Sequence, residues 1–219
     1  MGGHPGYRSG HSLERVTSIL GRDIDKICAE LAVLVPERAN LDGGEPIRSN
    51  QVENMNYLLR TSDGVIGTMQ VSFTAWFGTG SRFELYGSDG MLMLDTVELS
   101  NWDKKTGQGD PPRGELRLFG AHADLAQMMK DPIAPERLER RFIEIPLDDK
   151  HIAVKGIDRG RATFLVAQTW TAFHKAIDEG RDSAPSFRDE LKIHCVWDAT
   201  EKSVAEERWI RVDYSGVKA

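Results

Sequence analysis

The side chains with the most chemistry to offer lie in one short stretch near the N-terminus, GGHPGYRSGHSLERVTSILG at residues 2–21. His4, Tyr7, Arg8 and His11 provide two imidazoles, a phenol and a guanidinium, all of which form hydrogen bonds. A polar loop that runs into a helix is a common way to hold an imidazole in an accessible pocket. We interpret the stretch as a candidate ligand site, with the alternative that His11 only completes the hydrogen bonding of a helix terminus.

A short amphipathic helix is predicted to begin near His11 and to position it. Gly21 stands where a C-terminal cap belongs, and either Ser9 or Ser12 can cap the N-terminus. The apolar side of this helix is formed by residues at spacings of three and four, namely Leu13, Val16, Ile19 and Leu20.

The middle of the chain alternates between apolar and polar residues with a period of two, which indicates strands. Residues 55–59 and 65–73 are predicted to form one hairpin, and residues 83–86 and 91–99 a second one around the turn 87–90. Further strands are predicted at 27–35, 116–119, 142–147 and 209–214, a loop at 37–49 and a helix near 124–130.

Helical periodicity replaces this alternation from about residue 159. Gly180 ends the first predicted helix, and Ser186 with Asp189 has the spacing of a capping box at the start of the second. The first helix carries an apolar stripe of Val166, Trp170, Phe173 and Ile177, and the second has a buried side of Leu191, Ile193, Cys195, Val196 and Val204. Strands in hairpins together with helices predict one α+β domain over residues 1–219, with a mainly antiparallel sheet covered by helices on one face.

Composition narrows the classes of function. The chain has 219 residues, 40% of them hydrophobic, and a formal charge of -6, so we expect a globular protein without direct nucleic-acid binding. It has no apolar run of membrane-spanning length and no signal-peptide pattern, so we expect a cytoplasmic protein that does not bind membranes. Cys28 and Cys195 are predicted to be reduced and buried, and no histidine spacing indicates a metal site.

Glycine-rich segments do not predict nucleotide binding in this chain. Gly78 and Gly80 lead into a strand, and Gly2, Gly3 and Gly6 follow no strand, whereas a dinucleotide fingerprint needs a strand before it and a helix after it.

Four segments together resemble the C-terminal domain of the Gfo/Idh/MocA family of nicotinamide-dependent oxidoreductases, on the branch that includes the galactose-regulon repressor. They are GGHPGYRSGHSLERVTSILG at the start, FELYGSDGMLML at 83–94, TFLVAQTWTAFHKAIDEGR at 163–181 and PSFRDELKIHCVWDATEKSVAEERW at 185–209. The resemblance implies an open antiparallel sheet with helices on one face. It also implies an N-terminal Rossmann domain that binds NAD or NADP, which we expect to lie outside these 219 residues. The chain alone is then expected neither to bind the cofactor tightly nor to turn over.

Site roles also follow from the resemblance. Family members open this domain with a DxxxH pattern whose histidine acts as acid and base or as substrate ligand. His11 matches that histidine, while Tyr7 occupies the aspartate position. Tyrosine can donate a hydrogen bond or do acid–base work if its pKa falls, but it cannot supply a carboxylate charge. Arg8 and His4 could hold an anionic or polyhydroxylated ligand, and the alternative is that both are solvated loop residues.

Two kinds of function are compatible with these features. The first is the substrate-binding and oligomerisation half of an NAD(P)-dependent sugar or cyclitol oxidoreductase. The alternative is a non-catalytic ligand sensor or regulator, or a structural dimerisation module. Ile66, Thr68, Gln70 and Ser72 form a neutral strand face on which we expect a homodimer to pack.

Overall fold

The computed structural model describes residues 6–75, 80–97, 116–122, 143–157 and 162–217. The chain forms two compact units, residues 1–76 with 184–219 and residues 77–183. Each unit contains a four-stranded antiparallel sheet. The α+β class with mainly antiparallel strands is confirmed, and the single domain stays a prediction.

In chain order the elements are α1 (Gly6–Leu20), β1 (Ile24–Ala32), β2 (Glu37–Arg38), β3 (Ile47–Arg48), β4 (Asn54–Thr61), β5 (Ile66–Ser72), β6 (Gly80–Gly87), β7 (Gly90–Val97), β8 (Leu116–His122), β9 (Ile143–Ile145), a 3₁₀ turn (Asp149–His151), α2 (Ala162–Asp178), α3 (Phe187–Glu206) and β10 (Ile210–Arg211).

The first unit is a sheet in the order β10-β1-β4-β5 with α1 and α3 packed on it. Alternation places Ile27 of β1 and Met55 of β4 on the inner face, where both are fully buried. Leu13 of α1 and Val196 of α3 are fully buried in the same core. The helices packed on this sheet are α1 and α3, while α2 is part of the second unit.

The strand predicted over 27–35 ends earlier, at Ala32. It ends there because a buried carboxylate accepts hydrogen bonds from the backbone N–H groups of residues that follow. Glu53 is 4% exposed and accepts hydrogen bonds from the N–H groups of Leu34 at 2.7 Å and Val35 at 3.3 Å. Arg38 pairs with the same carboxylate and offsets its charge. The predicted loop at 37–49 contains the short β2–β3 pair.

The second unit is built on the predicted hairpin of β6 and β7, with Gly87 opposite Gly90. Gly90 has φ of 142°, and a Cβ there would lie 2.1 Å from the carbonyl oxygen of Ala121, so only glycine fits. Strands β8 and β9 extend this sheet in the order β6-β7-β8-β9.

Helix α2 of the second unit is tied to the loop before it by Gln168. Its Oε1 accepts from the N–H of Ala153 at 2.7 Å, and its Nε2 donates to the carbonyl of Val154 at 3.1 Å. The predicted stripe is largely exposed, with Val166, Trp170, Phe173 and Ile177 between 44% and 65% accessible. The predicted helix near 124–130 lies outside the described residues.

Helix α3 begins as predicted, with a capping box. The Ser186 hydroxyl accepts from the Asp189 N–H, and the Asp189 carboxylate accepts from the Ser186 N–H at 2.8 Å. Leu191 is 45% exposed, which corrects its predicted burial. Cys28 and Cys195 are free thiols, but both are half-buried rather than buried. Among the described residues no helix combines the length and apolarity that a bilayer crossing requires.

Removing side-chain volume at the centre of the first unit should destabilise it strongly. We expect Ile27→Ala to lower the free energy of unfolding by about 2 to 5 kcal/mol, because it deletes buried methyl groups and leaves a cavity. Leu41→Ala is the control, since Leu41 is 99% exposed and its loss should change stability by less than about 0.5 kcal/mol. Urea unfolding followed by circular dichroism measures both, and equal effects would contradict this core.

Candidate functional site

Helix α1 begins at Gly6, so His11 lies in its second turn rather than at its start. This corrects the predicted loop and the predicted caps, because residues 6–10 are already helical. Tyr7 and Arg8 lie in the first turn, and the spacing of Tyr7 and His11 places their backbone positions one turn apart on the same side. His4 lies outside the described residues.

Ser9 anchors the start of α1 to the sheet. It is fully buried, and its Oγ accepts a hydrogen bond from the hydroxyl of Tyr57 on β4 at 3.0 Å. Burial raises the pKa of Tyr57, so the phenol stays protonated as the donor. Ser9 therefore holds the helix rather than capping it.

Gly10 sets how closely α1 approaches α3. A Cβ on Gly10 would lie 2.6 Å from Cζ2 of Trp197, well inside contact distance. The Trp197 side chain belongs to the core of the first unit and is 6% exposed. The backbone of α1 thus lies against the indole edge at the residue directly before His11.

His11 is exposed and lies on a side of α1 different from buried Ser9 and Leu13. Glu14 follows one turn later. Its pKa is raised, first by burial and then by the nearby Glu190 carboxylate on α3, while His11 acts in the opposite direction. Glu14 is therefore close enough to both His11 and Glu190 to interact electrostatically with each of them.

A second imidazole completes this surface. His194 Nε2 lies 3.8 Å from Glu190 Oε1, and the His194 ring meets the Trp197 ring edge to face with centroids 4.4 Å apart. We call the surface formed by His11, Glu14, Glu190 and His194 around the Trp197 indole the α1–α3 seam. It presents two imidazoles and two carboxylates, which can accept and donate hydrogen bonds to a hydroxyl-rich ligand.

Of the four residues predicted from sequence, the structure places His11 in this seam and puts Tyr7 and Arg8 on the same helix. Sequence reasoning missed Glu14, Glu190, His194 and Trp197. The spacing of Glu190 and His194, one helical turn, was visible as a local signal. The packing of α3 against α1 was not visible, because α3 lies far along the chain.

A metal ion and a dinucleotide each require a particular set of groups. Within the described residues no group of three His, Cys, Asp or Glu side chains could hold a metal ion. A helix N-terminus can bind a pyrophosphate, but that of α3 is already occupied by the Asp189 carboxylate of its capping box. The pKa of Asp189 is held low by its hydrogen bonds with Ser186, so the carboxylate remains charged there.

Residues 9–93 match the sequence model of the GFO/IDH/MocA C-terminal domain. The match starts just after Tyr7 and Arg8 and includes Ser9, Gly10, His11 and the strands beneath them. Residues 9–93 therefore resemble a Gfo/Idh/MocA C-terminal domain.

Two curated relatives share sequence with this C-terminal domain. The inositol 2-dehydrogenase of Rhizobium meliloti is 23% identical over 202 residues, which is 92% of this chain and 47% of the relative. The myo-inositol 2-dehydrogenase of Thermotoga maritima is 27% identical over 109 residues, 50% of this chain and 30% of the relative. The chain therefore spans less than half the length of either relative.

Solved structures show the same fold over nearly the whole chain. An oxidoreductase domain protein from Kribbella flavida superposes with a TM-score of 0.71 and 21% identity, covering 97% of this chain and 50% of that one. Levoglucosan dehydrogenase in complex with NADH and L-sorbose gives a TM-score of 0.68 with the same identity and coverage. The C-terminal domain fold is confirmed beyond residues 9–93.

Removing the charge of Glu14 should reveal the crowding of carboxylates in the seam. A raised pKa means that ionising Glu14 costs stability as the pH rises through that value, whereas below the pKa of the unfolded chain the cost vanishes. We expect Glu14→Gln to raise the thermal midpoint at pH 7 by only about 1 to 3 °C, because solvent screens the charges. The rise should be smaller at pH 4, where Glu14 is less ionised.

Glu45→Gln is the matched control, because Glu45 lies exposed in the loop between β2 and β3. Scanning calorimetry at the two pH values measures the difference. A midpoint that falls at pH 7 in Glu14→Gln would show that Glu14 stabilises the seam as a charged group.

Proposed function

We propose that this chain is the substrate-binding and dimerisation half of an NAD(P)-dependent oxidoreductase acting on sugars or cyclitols. The observation that carries the proposal is the position of His11, which is exposed in the α1–α3 seam and lies within the residues that match the Gfo/Idh/MocA C-terminal domain. The names of the relatives support the substrate class, because they are inositol dehydrogenases and a levoglucosan dehydrogenase.

In the proposed reaction, a residue of this chain transfers the proton and the cofactor transfers the hydride. His11 takes the proton from the substrate hydroxyl in oxidation and returns it in reduction, which suits imidazole because its charge changes near neutral pH. Tyr7, which lies one helical turn before His11, donates a hydrogen bond to the substrate or relays that proton. Arg8 and His4 bind other polar groups of the substrate. A bound nicotinamide would accept or give the hydride.

The proposal places nicotinamide binding on polypeptide outside these 219 residues. The α3 N-terminus is closed by its own capping box, and the relatives that share this fold are about twice as long as the chain. The chain alone is then expected to bind NAD and NADP weakly.

Because Tyr7 replaces the family's aspartate, a second function without catalysis is also compatible with this chain. Because a phenol cannot provide the charge of the family's aspartate, a protein that binds the ligand without turnover also fits this helix. Such a sensor or regulator would bind a polyol through the same seam. The two functions differ in whether His11 changes the rate of hydride transfer or only ligand affinity.

Replacing His11 tests the assignment directly. In protein that carries its nicotinamide-binding domain, we expect His11→Ala to lower kcat for oxidation of myo-inositol or levoglucosan by about 10² to 10⁴, the usual effect of losing a positioned acid and base. The absorbance of NADH or NADPH measures the rate. Tyr7→Phe should cost less if the tyrosine only orients the proton.

His174→Ala is the matched control, because His174 is an exposed helical histidine that pairs with Asp178 one turn away, at 3.2 Å. It should leave kcat unchanged. If the wild-type protein turns over and His11→Ala keeps its kcat, His11 has no catalytic role. Polyol binding without turnover in the wild type would favour the regulator.

The dimerisation part of the proposal rests on the outer face of the first sheet. Cys28, Leu58 and Thr68 lie side by side across β1, β4 and β5 in this face, on the side opposite the core. Leu58 is 45% and Ile66 72% exposed. A shallow depression of about 400 Å³ is lined in part by Cys28, Leu58 and Thr68.

Charge is present on this face, but it lies away from its centre. Lys26 and Arg60 are paired across β1 and β4, two residues from the Cys28–Leu58 pair toward one end of the sheet. Glu30 lies two residues from Cys28 in the opposite direction. A neutral centre with a charged rim is the usual composition of a protein interface. This arrangement supports a second copy packing on the sheet and burying about 1,200 to 2,000 Å².

Placing charges on the β5 side of this face should separate the dimer. We expect Thr68→Lys combined with Gln70→Glu to convert a dimer to monomers at tens of micromolar, because both charges would lose water on association. Light scattering coupled to gel filtration measures the mass. The control Ser62→Lys with Asn50→Glu adds the same charges at exposed positions outside the strands.

A wild-type monomer at this concentration, or a dimer that Thr68→Lys with Gln70→Glu leaves intact, would contradict the proposed interface.

A further inference from the structure

One contact connects the candidate catalytic helix to α3 at the residue next to His11. The edge of the Trp197 indole lies so close to Gly10 that a single added methyl group would meet Cζ2 at 2.6 Å and Cη2 at 3.3 Å. Ordinary contacts of a Cβ lie beyond about 3.4 Å, so α1 could approach α3 this closely only through glycine.

The indole itself is firmly held. It is 6% exposed, belongs to the core that also contains Ile193 and Val196, and is packed edge to face by His194 with ring centroids 4.4 Å apart. Aromatic pairs in this geometry are attractive beyond their buried area. Because the indole is held in this way, it limits how closely the backbone of α1 can approach α3.

The second support of α1 lies on the sheet. Ser9, the residue before Gly10, accepts the hydrogen bond of Tyr57, and Leu13 is fully buried one turn later. The sheet thus fixes one side of the helix, while Trp197 fixes its distance from α3. His11 directly follows Ser9, which contacts Tyr57, and Gly10, which contacts Trp197. Both contacts therefore determine where the backbone of His11 lies.

We propose that Trp197 is a positioning residue for His11, setting the location of the imidazole through its contact with Gly10. The proposal rests on the proposed role of His11 as acid and base. Trp197 itself is nearly buried and acts only through the backbone of α1. Catalytic groups must be held to within about 0.5 Å of their working geometry, and displacement of about 1 Å can cost 10²-fold in rate.

The experiment is a complementary pair of substitutions with rescue. Gly10→Ala adds a methyl group against the indole. In protein that carries its nicotinamide-binding domain, we therefore expect kcat to fall about 10-fold to 100-fold with KM changed less than about threefold. Trp197→Phe removes the benzo edge that contains Cζ2 and Cη2. Combining the two should restore kcat to within about threefold of Trp197→Phe alone, because the new methyl group occupies the vacated space.

A spectroscopic measurement on the full chain reports the position of His11 without turnover. The His11 imidazole resonances in ¹H–¹³C spectra, assigned by their loss in His11→Ala, should shift in Gly10→Ala and return toward their starting values in the double variant. Gly67→Ala is the matched control, since a Cβ there would meet nothing within 4 Å, and it should shift nothing.

Each outcome decides the question. Unchanged His11 resonances in Gly10→Ala, or a double variant no closer to wild type than Gly10→Ala, would overturn the positioning role. If Gly10→Ala fails to fold, folding restored by Trp197→Phe together with native His11 resonances would support it, and restored folding with displaced resonances would overturn it. Absence of turnover in wild-type protein that carries its nicotinamide-binding domain would refute the proposed function, while the resonances would still test the contact.

Discussion

The packing of two distant helices on one sheet face is the constraint on which the first unit depends. Leu13 of α1, Ile27 of β1, Met55 of β4 and Val196 of α3 are all fully buried in one core. Removing apolar surface from water is the main favourable contribution to folding. Because α1 and α3 pack together in this core, the same burial that stabilises the unit also brings the two sides of the seam together.

Much of the architecture was predictable because it depends on local periodicity. The hairpin of β6 and β7 follows from alternation around Gly87 and Gly90, and the α3 start follows from the spacing of Ser186 and Asp189. Predictions were wrong where a distant partner intervened. Glu53 shortens β1 by binding the N–H groups of Leu34 and Val35, and no pattern near residue 34 contains that information.

The candidate site was only half predictable, for the same reason. His11 was found through its resemblance to a family pattern, but the helix around it begins earlier than its apolar spacing indicated. Ser9 was expected to cap α1 and instead binds Tyr57, a partner on β4. Glu190 and His194 could not be connected to His11 from sequence, since only the fold brings α3 beside α1.

The charge around His11 bears on the departure of Tyr7 from the family's aspartate. An aspartate one turn before the histidine would favour the imidazolium through its negative charge. Tyr7 provides no such charge, but Glu14 lies one turn after His11 and the two interact favourably, since His11 acts to lower the pKa of Glu14. Glu190 of α3 lies near Glu14 and raises the pKa of Glu14. A carboxylate therefore lies on the C-terminal side of His11 in this chain, on the helix whose distance from α3 is set by the Trp197 contact.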